Sequence, residues 1–329
     1  MNNKNNTVQE EQKEEKIEKG MQEDTQQKEK KLEEKPQKFS SEWYDKNYKL
    51  LLLVSIASLI FSLAVLGITY ARTGNIIKKD VTLTGGTIIT IHTSEPYDLE
   101  ELAKFLQKRL GESVIVRRLQ DITTGKQIGI FIESKSEASN LKKILEEYLK
   151  FSLTEENSSV EIISPALSRS FYKELTVAVF VAFLFMSVVV FFLFKKIVPC
   201  FAVILAAATD ILGALALANI FGFSISTAGI SALLMLIGYS VDTDIMLTTK
   251  ILKRREDPLN KRIKSAFKTG VTMTLTSFFA VVVSYFIVTS DILKQIFFIL
   301  AAGLFFDLIA TWLGNASILK WYCEKKNIN

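Results

Sequence analysis

The sequence predicts an α-helical polytopic membrane protein with six transmembrane helices and an α+β domain inserted between the first two of them. Two observations lead to this prediction. Six apolar runs are each about 20 residues long, which is the length that a helix needs to cross a hydrocarbon core of about 30 Å. The charged residues, 23% of the chain, are segregated between these runs, so that a positive mean hydropathy coexists with a high charge content.

The chain begins with a polar segment, residues 1–45, that consists mostly of Glu, Lys, Gln and Asn. Such a segment cannot bury enough apolar surface to offset the entropy of ordering it, so we expect a disordered, charged cytoplasmic tail. It has no apolar core of the kind that a cleavable signal peptide carries. The first span follows at residues 50–70.

Residues 72–171 show the pattern of one small soluble domain. The first predicted strand covers residues 82–93, and Gly85 and Gly86 near its start indicate a turn, a bulge or a close approach of two backbones. Asp98 is the predicted N-cap of an amphipathic helix that Gly111 ends. The predicted elements follow in the order βαββαβ, the ferredoxin-like arrangement. This domain has no phosphate-binding loop and no His/Cys cluster, so we interpret it as an interaction domain.

The remaining apolar runs predict a five-helix membrane bundle over residues 172–320, followed by a short C-terminus at 321–329. Its predicted spans are residues 175–194, 197–220, 227–249, 270–288 and 292–319. A basic connector, residues 250–268, separates the fourth span from the fifth. It could form an amphipathic helix at the lipid surface, but we favour a simple role as a positive cytoplasmic anchor.

The basic residues also predict the orientation. Lys46, Lys195, the basic connector and the C-terminal lysines all fall on one side of the membrane when six spans alternate. The positive-inside rule then places both termini in the cytoplasm and residues 72–171 outside, in a protein of the cytoplasmic membrane. Because topology explains the slight basic excess, we expect no nucleic-acid partner.

Few residues are available for metal or nucleophilic chemistry. The chain has two cysteines, Cys200 and Cys323, and one histidine, His92. Their number and spacing predict neither a disulfide framework nor a metal site, and they exclude most histidine-based catalysis. We therefore expect no catalytic residues, no metal and no cofactor.

Four carboxylates lie within the predicted spans: Asp210, Asp242, Asp244 and Asp307. A charged side chain at the bilayer centre costs about 2.5–3.5 kcal/mol on insertion scales, so each is a candidate for proton or ion coupling. No Lys or Arg lies deep within a span. Burial disfavours the charged form of each carboxylate, which would be neutral when dry and ionised when water reaches it. The alternative is a wet vestibule or purely structural pairing.

Helical geometry separates two of these candidates. Asp242 lies above Gly238 on one face of its helix, whereas Asp244 shares nearly the opposite face with Ser240 and Thr248. We prefer Asp242 as the coupling residue and expect Gly238 to permit close helix packing.

Hydroxyl groups on the next span complete the predicted site. Thr272 and Thr276 lie at helical spacing on the fifth span, where their hydroxyl groups are expected to make hydrogen bonds between helices.

Three segments resemble the SecF family in its archaeal form. LMLIGYSVDTDIMLTTKILKR, with SISTAG before it, resembles the family's fourth-helix signature. VTLTGGT, which contains Gly85 and Gly86, resembles its lead into the external domain, and ISPALSRSFYKEL resembles its lead into the membrane bundle. The resemblance extends over about residues 50–320.

This resemblance implies an auxiliary subunit of the Sec protein-export machinery. Such a subunit would pair with SecD, a second six-helix protein, and act in the lipid bilayer beside a SecY-type translocon on a translocating polypeptide. The family belongs to the wider RND superfamily, in which charged groups within the membrane couple proton flow to movement of an external domain.

The sequence departs from the bacterial members of this family. They read GYSINDT at the fourth helix, so that their Asp aligns with Thr243, between Asp242 and Asp244. Asp210 falls where they carry a His-Asp pair, with Thr209 in place of the His. The family's coupling role therefore transfers only loosely to Asp242 or Asp244.

Two other classes of function remain open at this stage. An intramembrane aspartyl protease could use Asp210 and Asp242 to share one proton and activate water, although the GxGD element of those enzymes is missing. Half of an RND-like exporter of lipids or solutes is the other alternative.

Overall fold

The structure, a computed structural model, describes residues 38–121, 124, 126–253, 257–288 and 290–328. Residues 1–37 of the tail predicted over residues 1–45, and residues 254–256 of the basic connector, lie outside these described residues. Residues 38–45, predicted as part of the disordered tail, are helical. The helices in the described chain are α1 (Lys38–Thr73), α2 (Val81–Thr84), α3 (Leu99–Leu110), α4 (Ala138–Leu149), α5 (Pro165–Phe194), α6 (Ile197–Ile220), α7 (Thr227–Leu252), α8 (Leu259–Ile287), α9 (Asp291–Ile309) and α10 (Ala316–Lys325), with a π-helical turn at Ala310–Asn315. The strands are β1 (Gly86–His92), β2 (Ile115–Gln120), β3 (Gln127–Ser134) and β4 (Ser158–Ile163).

Six helical segments of the described chain are long and apolar enough to cross a membrane, which confirms the predicted number of spans. They cover Lys46–Thr73, Pro165–Phe194, Ile197–Ile220, Thr227–Leu252, Leu259–Ile287 and Ile292–Lys325. In α6, α7 and the last span 56% of the most apolar stretch is buried, against 22% or less in α1, α5 and α8. The chain is therefore a multi-pass membrane protein whose interior is formed by α6, α7 and the last span.

Glycines let these inner helices approach one another closely. A Cβ on Gly213 of α6 would overlap the ring of Phe306 on α9, and one on Gly303 of α9 would overlap Leu236 of α7. Close approach of this kind favours van der Waals packing, on which helix association in lipid depends.

The four strands form an antiparallel sheet in the order β2-β3-β1-β4. Along the chain, the strands and their helices follow one another as β1-α3-β2-β3-α4-β4. The two helices cover one face of the sheet, where Ile89 and Ile132 pack against Leu102 and Leu141 in a fully buried core.

The ends of α3 are those that the sequence predicts. Asp98 accepts hydrogen bonds from the backbone N–H groups of Glu100 (2.9 Å) and Glu101 (3.1 Å). Gly111 adopts the left-handed conformation, with φ of 70°, and ends the helix.

The first strand starts later than the sequence predicts. Val81–Thr84 form a single helical turn, α2, because the Asp80 carboxylate accepts a 2.5 Å hydrogen bond from the Val81 N–H and caps it. Gly85 and Gly86 follow with φ of 81° and 148°. Of the turn, bulge or close approach expected at these two glycines, the structure shows a close approach, since an added Cβ on Gly85 would overlap Pro165 and one on Gly86 would overlap the Ser134 carbonyl.

The linker between α1 and α2 is bonded to the loop between α6 and α7. The Asp80 N–H donates to the Ile225 carbonyl (3.0 Å), and the Ile225 N–H donates to the Lys78 carbonyl (2.7 Å). Gln295 of α9 fixes the same loop from the other side, since it donates to the Ser224 carbonyl and accepts from the Ser226 hydroxyl and N–H. We call this arrangement of residues 78–80, residues 224–226 and Gln295 the outer junction.

Four of the predicted spans differ from the observed helices. The first two differ chiefly in where they begin, since α1 starts at Lys38 and α5 at Pro165, before the predicted spans. The basic connector does not lie apart from the fifth span: its second half is the beginning of α8, and the buried Arg262 side chain donates a 2.6 Å hydrogen bond to the Ile251 carbonyl at the end of α7. The sixth span is not one regular α-helix, because a π-helical turn interrupts it after Ile309. The Ala316 N–H bonds there to the Thr311 carbonyl, five residues back.

Candidate functional site

Three of the four predicted carboxylates, Asp210, Asp244 and Asp307, are fully buried in the interior of the bundle. Asp210 comes from α6, Asp244 from α7 and Asp307 from α9. The three helices that carry them pack directly against one another, so the three carboxylates lie in one part of the bundle interior. We call these three residues the carboxylate cluster.

The first hydrogen bond of the cluster joins α6 to α7. Ser240 Oγ donates to Asp210 Oδ2 across 2.5 Å. Ser240 lies one helical turn from Asp244, and Thr248 one turn further on. All three side chains are buried, so the predicted grouping of Ser240, Asp244 and Thr248 on one face is confirmed.

A single hydroxyl joins the other two carboxylates. Thr311 Oγ1 lies 2.8 Å from Asp307 Oδ1 and 3.0 Å from Asp244 Oδ1. Asn315 Nδ2 donates a 2.7 Å hydrogen bond to the same Asp244 oxygen, and Thr274 of α8 lies 3.3 Å from Asp307 Oδ2. Side chains of four helices and the π-helical turn thus converge on three carboxyl groups.

The sequence produces this convergence through helical spacing. Asp307, Thr311 and Asn315 are four residues apart, so they follow one another along one face of the last span. The π-helical turn, which contains Thr311 and Asn315, widens the helix at this level. Such turns occur mostly as single insertions in α-helices and often at functional sites.

The carboxylate cluster has fewer hydrogen-bond donors than its buried oxygen atoms could accept from. Asp210 Oδ1, Asp244 Oδ2, Thr248 Oγ1 and Asn315 Oδ1 are buried and make no hydrogen bond to any described residue. No described Lys or Arg forms an ion pair with the cluster. An ionised carboxylate is costly in such surroundings, so protonation is the chemistry that this arrangement favours.

Asp242 lies outside the cluster. Its side chain is exposed on the surface of the bundle, and it makes no hydrogen bond or ion pair with the described residues. Gly238, one turn away, is also exposed, with no atom within 4 Å of the position of a Cβ. The expected close packing at Gly238 is therefore wrong within this chain, because the packed face of α7 is the opposite one. Thr243 is buried between these faces and donates to the Tyr239 carbonyl (3.4 Å).

The predicted threonines of the fifth span do not join helices. Thr272 and Thr276 are exposed, and their hydroxyls donate to the carbonyls of Lys268 and Thr272 in their own helix (2.7 Å each). Thr274, two residues from each and hence on another face, is the one that contacts Asp307. Thr274, Thr311 and Asn315 were not among the residues predicted from the sequence. The i+4 and i+8 spacing from Asp307 was a usable signal for the last two.

A family model for the protein-export membrane protein SecD/SecF, C-terminal, matches residues 142–325, which is more than half of the chain. This match covers all the residues of the carboxylate cluster. The chain is therefore a membrane protein of the SecD/SecF protein-export class.

Relatives that match this chain over nearly their whole length make the family assignment more specific. The protein-export membrane protein SecF of Methanocaldococcus jannaschii is 39% identical over 84% of this chain and 96% of its own length. That of Methanothermobacter thermautotrophicus is 34% identical over 84% of this chain and 93% of its own length. The chain belongs to the SecF family, which confirms the resemblance found in its sequence.

Solved structures share the fold. The crystal structure of SecDF, a translocon-associated membrane protein from Thermus thermophilus, superimposes with a TM-score of 0.66 over 85% of this chain at 19% identity. SecDF in a super-membrane-facing form gives a TM-score of 0.53 over 84% of this chain at 20% identity. This chain spans only 38% of either SecDF chain.

Proposed function

We propose that this chain is a non-enzymatic auxiliary subunit of the Sec protein-translocation machinery, which promotes polypeptide export across the cytoplasmic membrane. It pairs with a SecD-type subunit beside a SecY-type translocon, and proton movement through the carboxylate cluster drives its conformational change. Its relatives are protein-export membrane proteins, which supports the export role. The SecDF chains, of which it spans 38%, support a partner that supplies the remaining part.

The position of the Thr311 hydroxyl, within hydrogen-bond distance of both Asp244 and Asp307, is the main support for proton coupling at this site. A hydroxyl has one hydrogen, so it donates to only one carboxylate at a time. Both contacts are hydrogen bonds only when one carboxyl group carries a proton and donates it to the hydroxyl. The packed state of α7 against the last span therefore holds a proton at this site.

Loss of that proton would leave two buried like charges with too few donors. Breaking a buried polar arrangement in this way is strongly destabilising, so deprotonation favours a state in which the helices separate and water enters. A proton that crosses 100 mV supplies roughly 2.3 kcal/mol. This is enough to change a two-state equilibrium about 50-fold, at 1.36 kcal/mol for each factor of ten.

The helices of the cluster also hold the outer junction. Ser226, at the start of α7, is 18 residues from Asp244, or about 27 Å along the helix. Its hydroxyl bonds to Gln295 of α9, and its neighbour Ile225 bonds to the linker that leads through α2 into β1. A change in the angle between α7 and α9 at the cluster would therefore displace the linker at the other end.

The sheet and its two helices act, in this proposal, as an extracytoplasmic domain of ferredoxin-like fold. The strand order β2-β3-β1-β4 and the βαββαβ connectivity support that fold. The basic residues near the inner ends of the spans support cytoplasmic termini and an external position of residues 72–171.

Neither alternative function gains support from the site. An aspartyl protease that used Asp210 and Asp242 would need both carboxylates in one water-accessible site, whereas Asp210 is buried in the cluster and Asp242 is exposed on the bundle surface. A stand-alone exporter would need a second membrane bundle and external domain, which in this proposal the SecD-type partner supplies.

The test replaces the titratable groups and keeps their shape. Asp244→Asn and Asp307→Asn, singly and together, are introduced into cells, and the export of a pulse-labelled secretory protein is followed. We expect the export rate to fall at least tenfold in the double variant, while the amounts of this chain and of co-purified partner stay constant.

Asp257→Asn is the matched control, because Asp257 is an exposed residue that precedes α8 and pairs with Lys261 near the start of that helix. Normal export in the double variant would refute proton coupling at this site. Clean cleavage of a transmembrane substrate by the purified chain, lost in Asp244→Asn, would instead establish an enzyme.

A further inference from the structure

Three lysines lie together at the end of the bundle opposite to the sheet domain, which consists of β1–β4 with α3 and α4. Lys195 and Lys196 form the two-residue turn between α5 and α6. The 30 residues of α5 extend about 45 Å from the sheet domain to this turn. Lys253 follows the last residue of α7, and its Nζ lies 5.7 Å from the centre of the Phe194 ring, beside the same turn. All three residues are exposed, and we call Lys195, Lys196 and Lys253 the lysine cluster.

Other basic residues at this end of the bundle have partners within the chain. Lys250 donates a 2.8 Å hydrogen bond to Thr269 Oγ1, and Lys261 forms a 2.8 Å ion pair with Asp257. Among the residues that the structure describes, no acidic side chain forms an ion pair with the lysine cluster. Because like charges held side by side repel one another, the cluster favours an anion from outside the chain.

The backbone of Lys195 supports a function for its side chain. Lys195 adopts the left-handed conformation, with φ of 51°, and its N–H donates to the Phe191 carbonyl (2.8 Å) at the end of α5. Glycine is the favoured residue for a helix end of this kind, since it has no Cβ. The sequence thus keeps a positive charge where the backbone favours glycine, and an unfavourable conformation of this kind points to a functional side chain.

Large apolar side chains next to the lysine cluster narrow the choice of anion. Phe192 in the last turn of α5 is 68% exposed, and Ile197 and Phe201 in the first turns of α6 are 79% and 60% exposed. They belong to helical segments that are apolar enough to cross a membrane. An anion with acyl chains would contact both these side chains and the lysines, whereas a soluble anion would contact the lysines alone. The surface therefore fits a lipid.

We propose that the lysine cluster binds an anionic membrane lipid, with the lipid phosphate against the lysines and its acyl chains against Phe192, Ile197 and Phe201. Basic pockets between transmembrane helices bind the head groups of anionic lipids through the same chemistry. The lipid links the turn between α5 and α6 to the end of α7. This inference is independent of the proton chemistry proposed for the carboxylate cluster.

The first test measures lipid affinity. The purified, delipidated full chain is titrated with phosphatidylglycerol, and bound lipid is counted by mass spectrometry of the intact protein. A lysine near an anionic lipid contributes about fivefold in affinity, so Lys196→Gln with Lys253→Gln should weaken binding about 30-fold. Phosphatidylcholine, which has no net charge, should bind far more weakly than phosphatidylglycerol.

The matched control is Lys325→Gln with Lys326→Gln, which removes the same charge from two exposed residues near the C-terminus. It should change the affinity for phosphatidylglycerol less than twofold. An equal loss in the control pair would refute the inference, because the lipid would then respond to total charge alone. Equal affinities for the two lipids would refute it as well.

Lys195→Gly separates lipid binding from folding. Glycine relieves the left-handed conformation at this position, so the melting temperature in detergent should stay the same or rise. The affinity for phosphatidylglycerol should nevertheless fall about fivefold, since one cation is lost. A folded Lys195→Gly chain that binds this lipid normally would overturn the proposal.

A further measurement on the unmodified chain locates the lipid and identifies its source. Phosphatidylglycerol with a photoreactive group on an acyl chain should label the segment from Phe192 to Phe201. Labelling confined to other segments would contradict the proposed position. Inorganic phosphate at the same concentration should not displace the lipid, because it makes no apolar contact. Displacement by phosphate would show that the cluster binds a soluble anion and that the lipid assignment is wrong.

Discussion

The replacement Thr311→Val removes the hydroxyl between Asp244 and Asp307 and keeps the shape of the side chain. The two hydrogen bonds of this hydroxyl contribute about 1 kcal/mol each, so the packed state should lose about 2 kcal/mol. That loss corresponds to a roughly 30-fold shift away from the packed, protonated state. Asn315 and Thr274 still donate to the two carboxylates, which limits the effect to the shared bonds.

Two assays measure this change. In cells, the rate at which a pulse-labelled secretory protein is exported should fall at least tenfold in Thr311→Val. Its dependence on external pH should also change, because the variant holds the shared proton less well. In detergent, the melting temperature of the purified chain should fall.

Thr311→Ser is the control, since it keeps the hydroxyl and loses one methyl group, a change of about 0.8 kcal/mol. It should export within twofold of the unmodified chain. Export in Thr311→Val at the normal rate and with the normal pH profile would refute the argument. If the melting temperature fell but the pH dependence of the export rate did not change, the role of Thr311 would be structural only.

Three further predictions concern the outer junction and the sheet domain. Gln295→Leu should destabilise the chain by about 2 kcal/mol, measured by thermal unfolding, because the Ser226 N–H and the Ser224 carbonyl lose their buried partner. Gly86→Ala should sharply reduce the yield of folded protein, since φ of 148° is strained for alanine and its Cβ would overlap a backbone carbonyl, whereas alanine at Gly67, which has open space, should be neutral. Burial, with a contribution from the hydrogen bond to Glu95, raises the pKa of Tyr97. The stability linked to it is complete below about pH 10 and is lost as the pH rises through the folded pKa, so Tyr97→Phe should flatten the alkaline part of a pH–stability curve.

Most of the membrane architecture could be predicted because the signals are local. A run of about 20 apolar residues specifies a span by itself, and all six were found. Asp98 and Gly111 likewise fix the ends of α3 through their own backbone chemistry. The boundaries that differ depend on tertiary contacts. The capped turn of α2 is held against the outer junction, and Arg262 reaches the end of another helix.

The sequence predicts which carboxylates lie in the membrane spans, but not which of them point into the packed interior. Helical spacing placed Asp242 and Asp244 on opposite faces, yet it could not show which face is packed, because the neighbouring helices decide that. We preferred Asp242 on the face of Gly238, and the structure places Asp244 in the cluster. The choice of Thr272 and Thr276 over Thr274 failed for the same reason. The π-helical turn leaves no mark in composition, since it differs from an α-helix by one residue in its hydrogen-bond register.

The contact between Gly85 and Pro165 has a mechanical consequence. A Cβ on Gly85 would lie 2.5 Å from Pro165 Cα, so the chain enters and leaves the sheet domain at adjacent points. A single residue, Ser164, separates β4 from α5. A body held at two adjacent points pivots about one axis, and a strand of seven residues extends about 20 Å from that axis. A rotation of 10° there would move its far end by about 3.5 Å, and the bonds between residues 78–80 and Ile225 would oppose such a rotation. Because both attachments lie at Gly85 and Pro165, a small rotation at this point would give a large displacement at the far end of the sheet domain.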